Sequence, residues 1–354
     1  MISLNELENM ALARLPKIFA DYFIGGAGTE TTIRENLRSF EDIRLWPRVL
    51  RGSFQDNFNT QLPGGTLEFP ILAAPTAFHK LAHHDGELAT ARAIAQSNSL
   101  MIVSMAANTR TEDICKAAKE VNPHTPVWQQ LYLQPDRQFT LHLVHQAEQA
   151  GCSGLVVTVD SPVFGIRERD LRNGFNDLPK GLGCPNMIDE HGMTREIEFN
   201  ESLDWQDISW LRRQTSLPII LKGILHPKDI VLAIEHEVQA VIVSNHGGRQ
   251  LDGAPATIEL LPALADAAQN RIPLIVDGGI RHGTDVLKTL ALGASAVAVG
   301  RPVIWGLTVN GEQGVKDVMQ TLQQELLTAT KLCGCRTRKD INQHLIYSNS
   351  QTKG

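Results

Sequence analysis

Eight short apolar, β-rich stretches punctuate this chain, at residues 71–74, 101–104, 127–131, 155–159, 218–221, 241–244, 273–276 and 296–300, and each is followed by a helical pattern. Several are apolar without alternation, as parallel strands covered on both faces are. The helical segments have legible ends. Asp136 can cap a helix whose apolar face runs through Phe139, Leu143, Val144 and Ala147, with Gly151 as its stop. Pro227 suits a first helical turn ahead of Ile230, Ile234 and Val238, and Thr284 opens a helix carrying Val286, Leu287 and Leu290, ended by Gly293. Strand alternating with helix eight times predicts a (β/α)8 TIM barrel, and the 354 residues suit a single domain over 1–354.

Two pieces fall outside that count. Residues 1–65 read as an N-terminal extension with one or two helices and a Gly-rich break at 25–28. Residues 161–203, after the fourth strand, exceed the usual connection length, and we expect a mobile loop over the barrel mouth.

Composition narrows the partners. Acidic residues outnumber basic ones, 39 to 33, and no basic block occurs, so no nucleic-acid partner is expected. The apolar runs are far shorter than the ~18 residues of a membrane span, and the N-terminus lacks a basic start with an apolar core, so neither membrane nor secretory leader is expected. Five scattered cysteines argue for the cytoplasm over a disulfide framework. Cys333 and Cys335 have no second Cys/His pair nearby; we read them as two reduced thiols at a helix end and expect no metal.

Barrel enzymes carry their chemistry at the C-terminal ends of the strands. There the chain places Thr76-Ala77, Ser104, Gln130 with Tyr132, Thr158 with Asp160 and Arg167, Lys222, Ser244 with His246 and Arg249, Asp277 with Gly279 and Arg281, and Gly300-Arg301. The last two clusters read as a phosphate site. Gly278-Gly279 admits close backbone approach, and Arg281 and Arg301 offer bidentate donors. The Gly-rich break at 25–28 is no dinucleotide fingerprint, since no strand precedes it and the G-x-G-x-x-G spacing is missing. In 244–252 (SNHGGRQLD), His246 is flanked by glycine, and Arg249 stands three residues on, able to clamp a carboxylate beside a base. Asp160 could hold the imidazole, and Lys222 could neutralise developing negative charge. Tyr22, read from its own neighbours, is more simply a packing residue.

Residues 244–252, with 277–285 (DGGIRHGTD) and Gly300-Arg301-Pro302, resemble the FMN-dependent L-2-hydroxy acid oxidases and dehydrogenases, among them lactate oxidase and glycolate oxidase. The resemblance runs from about residue 21 to 335. The stretches 223–227 and 78–83 lean towards the lactate oxidase side. It implies FMN as cofactor, a small 2-hydroxy acid and O2 as reactants, peroxide as product, and a homo-oligomer, tetrameric in this family. His246 would remove a substrate proton as two electrons pass to the flavin, and Asp160 would stabilise its charged form. Arg249, Arg167 and Tyr22 would bind the substrate carboxylate, Tyr132 the hydroxyl region, and Lys222 would face the flavin. Thr76, Ala77, Ser104, Gln130, Thr158 and Ser244 would hold the ring and ribityl chain. Asp277, Gly279, Arg281, Gly300 and Arg301 would hold the ribityl and phosphate end.

Two departures bear on substrate. Ala106 stands where glycolate oxidases carry a bulky aromatic residue, and Phe164 where a smaller aliphatic is common. The expected substrate is therefore L-lactate or a bulkier acid. The alternatives are a quinone- or carrier-linked L-lactate dehydrogenase with the same half-reaction, and a non-redox FMN- or phosphate-binding barrel.

Overall fold

The computed structural model describes residues 3–54 and 57–348. All eight predicted strands form: β1 Ile71–Ala73, β2 Met101–Val103, β3 Val127–Leu131, β4 Gly154–Thr158, β5 Ile219–Ile224, β6 Ala240–Val243, β7 Leu274–Asp277 and β8 Ala296–Val299. They pair in parallel in chain order, and β8 closes on β1 with Val297 beside Ile71 and Val299 beside Ala73.

The strand period of two divides each strand between two cores. One set, including Ile71, Val103, Leu155, Ile219, Val241 and Val276, packs outward on the helices. The other, including Leu72, Ile102, Trp128, Val156, Ile220, Ile242 and Ile275, fills the barrel. Each such side chain, fully buried, contributes about 1.5–3 kcal/mol. Continuing the inward phase along the chain leads from Trp128 to Gln130, from Val156 to Thr158 and Asp160, from Ile220 to Lys222, and from Ile275 to Asp277. The polar residues at the strand ends are thus the top layer of the barrel interior.

The bottom is closed by an antiparallel ribbon the sequence reading did not anticipate, Thr60–Leu62 paired with Gly65–Leu67. Its Leu62 and Leu67 join the interior core, and the Trp128 indole donates to the Pro63 carbonyl at 3.1 Å. The extension holds three helices, not one or two: Leu4–Arg14, Lys17–Ile24 and Thr31–Asp42. Pro16 separates the first two, since it cannot continue a helical hydrogen-bond ladder.

The predicted helix after Asp136 runs Arg137–Gln149, with the Asp136 carboxylate accepting from the Gln138 and Phe139 amides. The helix after Pro227 stops at Glu235, so Val238 lies beyond it. The helix expected to open at Thr284 begins one residue earlier, at Gly283, because Asp285 reaches back to accept from the Arg281 and His282 amides. Residues 161–203 carry a short helix, Glu168–Asn173, and a 3-10 turn, Pro185–Met187.

Candidate active site

A cavity of about 1120 Å³ opens at the C-terminal end of the barrel, roofed by residues of the 161–203 segment. Ligand sites usually span roughly 300–1,000 Å³, so this one has room for a cofactor with a substrate beside it. Every candidate catalytic, substrate-binding or cofactor-binding residue lines it except Asp160 and Ser244. Those two stand behind His246: Asp160 Oδ1 lies 3.0 Å from Nδ1 of the imidazole, and the Ser244 hydroxyl accepts the His246 backbone N–H at 3.0 Å. Ser244, expected to hold the cofactor, is fully buried and does not reach the wall.

The 244–252 segment divides its labour. His246 and Arg249 face the cavity. Asn245 instead exchanges two amide hydrogen bonds with Asn36 of the extension, at 2.8 and 2.9 Å. Asp252 accepts from the Thr29 and Thr32 amides, both at 2.9 Å. The Gln250 amide donates to the carbonyls of Asp160 and Val163, and its oxygen accepts from Gly165, which fastens the root of the 161–203 segment. Three of the motif's nine residues therefore dock other segments around the residues that face the site.

Lys222 is aimed by a register shift in β5 between Lys222 and Ile224. Gly223 between them has φ of +112°, and a Cβ there would come within 2.6 Å of Asp160 Cβ. Only glycine lets the two strand ends approach this closely. Lys222 Nζ sits 3.8 Å from Asp277 Oδ2. After β7, Gly279 has φ of +84°, and a Cβ would meet the Asn36 carbonyl oxygen at 1.9 Å.

The electrostatics follow from burial. Burial and the nearby Lys222 ammonium push the His246 pKa below the ordinary histidine value, against the opposing pull of Asp160. The imidazole is therefore neutral near neutral pH, as a base must be. Burial alone would raise Asp160, but His246 and Lys222 together bring it below the ordinary carboxylate value. Burial raises Asp277 despite Lys222. Burial and the like charge of Arg249 lower Arg167 to about 10. Two guanidinium groups that face one cavity and repel each other make a place for an anion.

Arg249 is oriented by Nη1, which donates to the carbonyls of Tyr22 at 2.6 Å and Gly25 at 2.8 Å, and its guanidinium lies over the Tyr22 ring. Tyr22, which its own sequence neighbours suggested was mere packing, is a wall residue. Arg167 stacks on Phe164, 4.1 Å from the ring centroid. Arg301 qualifies the phosphate reading. Its Nε, Nη1 and Nη2 donate to the carbonyls of Phe23, Gly247 and Gly25, so much of its fork joins the extension to the barrel. Arg281 lies over the Trp305 ring and gives one bond to the Ile280 carbonyl.

Three buried polar atoms around the cavity have no hydrogen-bond partner among the described residues: Asp160 Oδ2, Arg167 Nε and Asp277 Oδ1. Such atoms are costly to bury unless a ligand meets them. On the cavity wall, Arg167 Nε suits an anionic substrate and Asp277 Oδ1 a hydroxyl donor of a ribityl chain, while the backbone at Gly278 and Gly279 and the Arg281 guanidinium suit a phosphate, so the lining fits a phosphorylated, polyhydroxylated cofactor. Phe199 went unnoticed in the sequence. It comes from the end of the 161–203 segment to pack on Tyr132, 5.2 Å between centroids, and on Phe164 at 5.8 Å.

A barrel with a carboxylate-backed imidazole, two arginines and a glycine-rich turn around one cavity at its mouth has the architecture of an enzyme with room for a phosphorylated cofactor and an anionic substrate. The profile of the FMN-dependent dehydrogenase family matches residues 11–348, and the chain belongs to that family, with FMN as its cofactor. It is 42% identical over 358 residues to an L-lactate oxidase of Nostoc sp., covering 98% of both chains. It is 41% identical over 364 residues to 2-hydroxyacid oxidase 1 of Homo sapiens, covering 99% of this chain and 97% of that one. A solved structure of a mandelate oxidase variant with (S)-mandelic acid superposes with a TM-score of 0.90 at 36% identity, covering 98% of each chain. No helix among the described residues is long and apolar enough to cross a membrane.

Proposed function

We propose that the protein oxidises an (S)-2-hydroxy acid, L-lactate or a bulkier homologue, to the 2-oxo acid, with O2 reduced to H2O2. The observation that carries this reading is His246, backed by Asp160 at 3.0 Å, sharing one cavity with Arg167 and Arg249. FMN supplies the two-electron acceptor that is reoxidised by O2. Thr76, Ala77, Ser104, Gln130, Thr158 and Lys222 would hold its ring and ribityl portions. Asp277, Gly279, Arg281 and Gly300 would hold the ribityl and phosphate end, with Arg301 bracing that wall.

Arg167 and Arg249 pin the substrate carboxylate, and Tyr22 and Tyr132 orient the carboxylate and hydroxyl through their phenol groups. His246 Nε2 takes a proton from the substrate, and Asp160, on the other ring nitrogen, stabilises the resulting imidazolium. Lys222 keeps a fixed positive charge where negative charge gathers. The small Ala106 side chain leaves room for the substrate's own substituent, bounded by Tyr132, Phe164 and Phe199. A homotetramer accords with the family resemblance, and a cytoplasmic location with the five scattered cysteines. Light scattering of the purified protein checks the assembly.

The test is anaerobic mixing of the yellow enzyme with glycolate, L-lactate or L-mandelate, followed by admission of air. Bleaching, fastest with the larger acids, and one H2O2 per 2-oxo acid are expected. Bleaching that air reverses only slowly, without peroxide, would instead mark a dehydrogenase with another acceptor. No bleaching with any of the three would refute the substrate class.

A further inference from the structure

Outside the cavity wall lies a cluster of charges that the reaction does not use. The Arg169 guanidinium makes a two-pronged contact with Glu30, Nε to Oε1 at 2.6 Å and Nη2 to Oε2 at 2.7 Å. Its third nitrogen, Nη1, reaches Asp21 Oδ1 at 3.3 Å. The Asn173 amide donates to Asp21 Oδ2 at 2.8 Å, and Lys17 pairs with the same carboxylate. Glu30 is itself fixed by the Gly26 amide at 3.1 Å. Asp21 is only 7% exposed, so its charge is held by these partners and not by water.

The cluster joins two elements that otherwise meet through the Gly28 amide on the Ile166 carbonyl, at 2.9 Å, and through Phe175 packed against Phe19 and Tyr22. Arg169 and Asn173 belong to the helix Glu168–Asn173, which has no buried residue of its own. Asp21 belongs to the helix Lys17–Ile24, and Glu30 to the turn that follows it. The immediate chain neighbours of these anchors face the opposite way, into the cavity. Tyr22 follows Asp21, and Arg167 caps the helix two residues before Arg169. This group of ionic contacts, outside the aromatic packing, therefore ties together two segments about 145 residues apart that each send a side chain into the cavity.

We infer that Arg169, with Glu30 and Asp21, is a positioning device that holds Arg167 at its working distance from Tyr22 and so sets affinity for the substrate carboxylate. This rests on the reading that Arg167 and Tyr22 grip that carboxylate. Asp160 and His246 stand just beyond the ends of β4 and β6 and share no hydrogen bond or ion pair with the cluster, so the latch governs binding and leaves proton removal alone. A guanidinium is required, because only a planar fork can meet Glu30 with two nitrogens and Asp21 with a third.

The test uses FMN-loaded enzyme and anaerobic stopped-flow reduction by L-lactate, which separates substrate Kd from the limiting rate. Arg169→Gln is expected to raise the Kd about tenfold while the limiting rate stays within about threefold. Arg169→Lys should recover part of the affinity, with a steeper dependence on added NaCl, because a single ammonium gives a more exposed, screenable contact. Glu30→Gln, which preserves shape and removes one charge, supplies the same reading should Arg169→Gln fail to retain FMN. An unchanged Kd in both Arg169→Gln and Glu30→Gln would overturn the inference, as would equal losses in affinity and limiting rate. Arg167→Met separates the two ideas. If it weakens substrate binding while the Arg169 and Glu30 variants do not, the latch is wrong and the carboxylate reading stands. If Arg167→Met itself binds like the parent, the carboxylate reading is the one that fails.

Discussion

Replacing Asp160 by Asn removes one charge from the site and almost nothing else. The Asp160 backbone carbonyl still accepts from Gln250, and the side-chain volume behind Gly223 is preserved. An Asn oxygen can still accept from Nδ1 of His246, which the carboxylate meets at 3.0 Å. What disappears is the attraction between a carboxylate and the imidazolium that forms as the proton is taken. At that separation the bare Coulomb energy is about 5–6 kcal/mol with an effective dielectric constant of about 20. Part of it survives as a neutral hydrogen bond of about 0.5–1.5 kcal/mol, and part is offset by relief of the cost of burying Asp160. The net loss is about 2–4 kcal/mol in the transition state, or roughly 30- to 1,000-fold in the rate of flavin reduction. Anaerobic stopped-flow at saturating L-lactate measures that rate directly. Substrate Kd should change little, since Arg167 and Arg249 are untouched. His246 should also titrate lower, because Asp160 is the group that raises its pKa against burial and Lys222. A variant that reduces its flavin within about threefold of the parent rate would show that Asp160 does not stabilise the charged base.

Filling the space beside Ala106, which is 6% exposed on the cavity wall, should reverse substrate order. Ala106→Trp is expected to depress kcat/KM for L-mandelate by about 30- to 150-fold, from the roughly 2–3 kcal/mol of burying an aromatic ring, and for glycolate far less. A parent that prefers glycolate, or an unchanged order in the variant, would sink the pocket argument. Arg249→Lys loses both the fork and the tether to the Tyr22 and Gly25 carbonyls. Its KM for L-lactate should rise about 10- to 100-fold with flavin content unchanged, and a parental KM would place Arg249 outside the substrate site. The pH profile of kcat/KM should show an acid limb. Protonating His246 removes the base, and its pKa is held below the ordinary value of 6.5, so activity falls only below that pH. An acid limb inflecting above pH 7 would contradict the buried, neutral imidazole.

How far the sequence reaches is visible residue by residue. Unbroken apolar runs and capped helices identify eight strand–helix units, because strand burial and helix capping are local properties. The period of two then carries the inward phase from Ile220 to Lys222 and from Ile275 to Asp277, so the wall could be read off the strand ends. What tertiary structure alone decides is who stands behind that wall. Nothing local to Asn36 says that it pairs with Asn245, 209 residues away, or that Arg169 closes on Glu30 across 139. Ser244 and Asp160 look alike in sequence as polar residues at strand ends, yet both brace His246 from behind and neither lines the cavity. Phe199 joins Tyr132 only because the 161–203 segment folds back over the mouth, and the ribbon at Thr60–Leu62 closes the bottom only because an open barrel would leave Trp128 and Leu72 wet. Such partnerships depend on which surfaces meet once the barrel closes. A polar side chain whose partner lies on another element carries no signature of that partner until packing brings the two together.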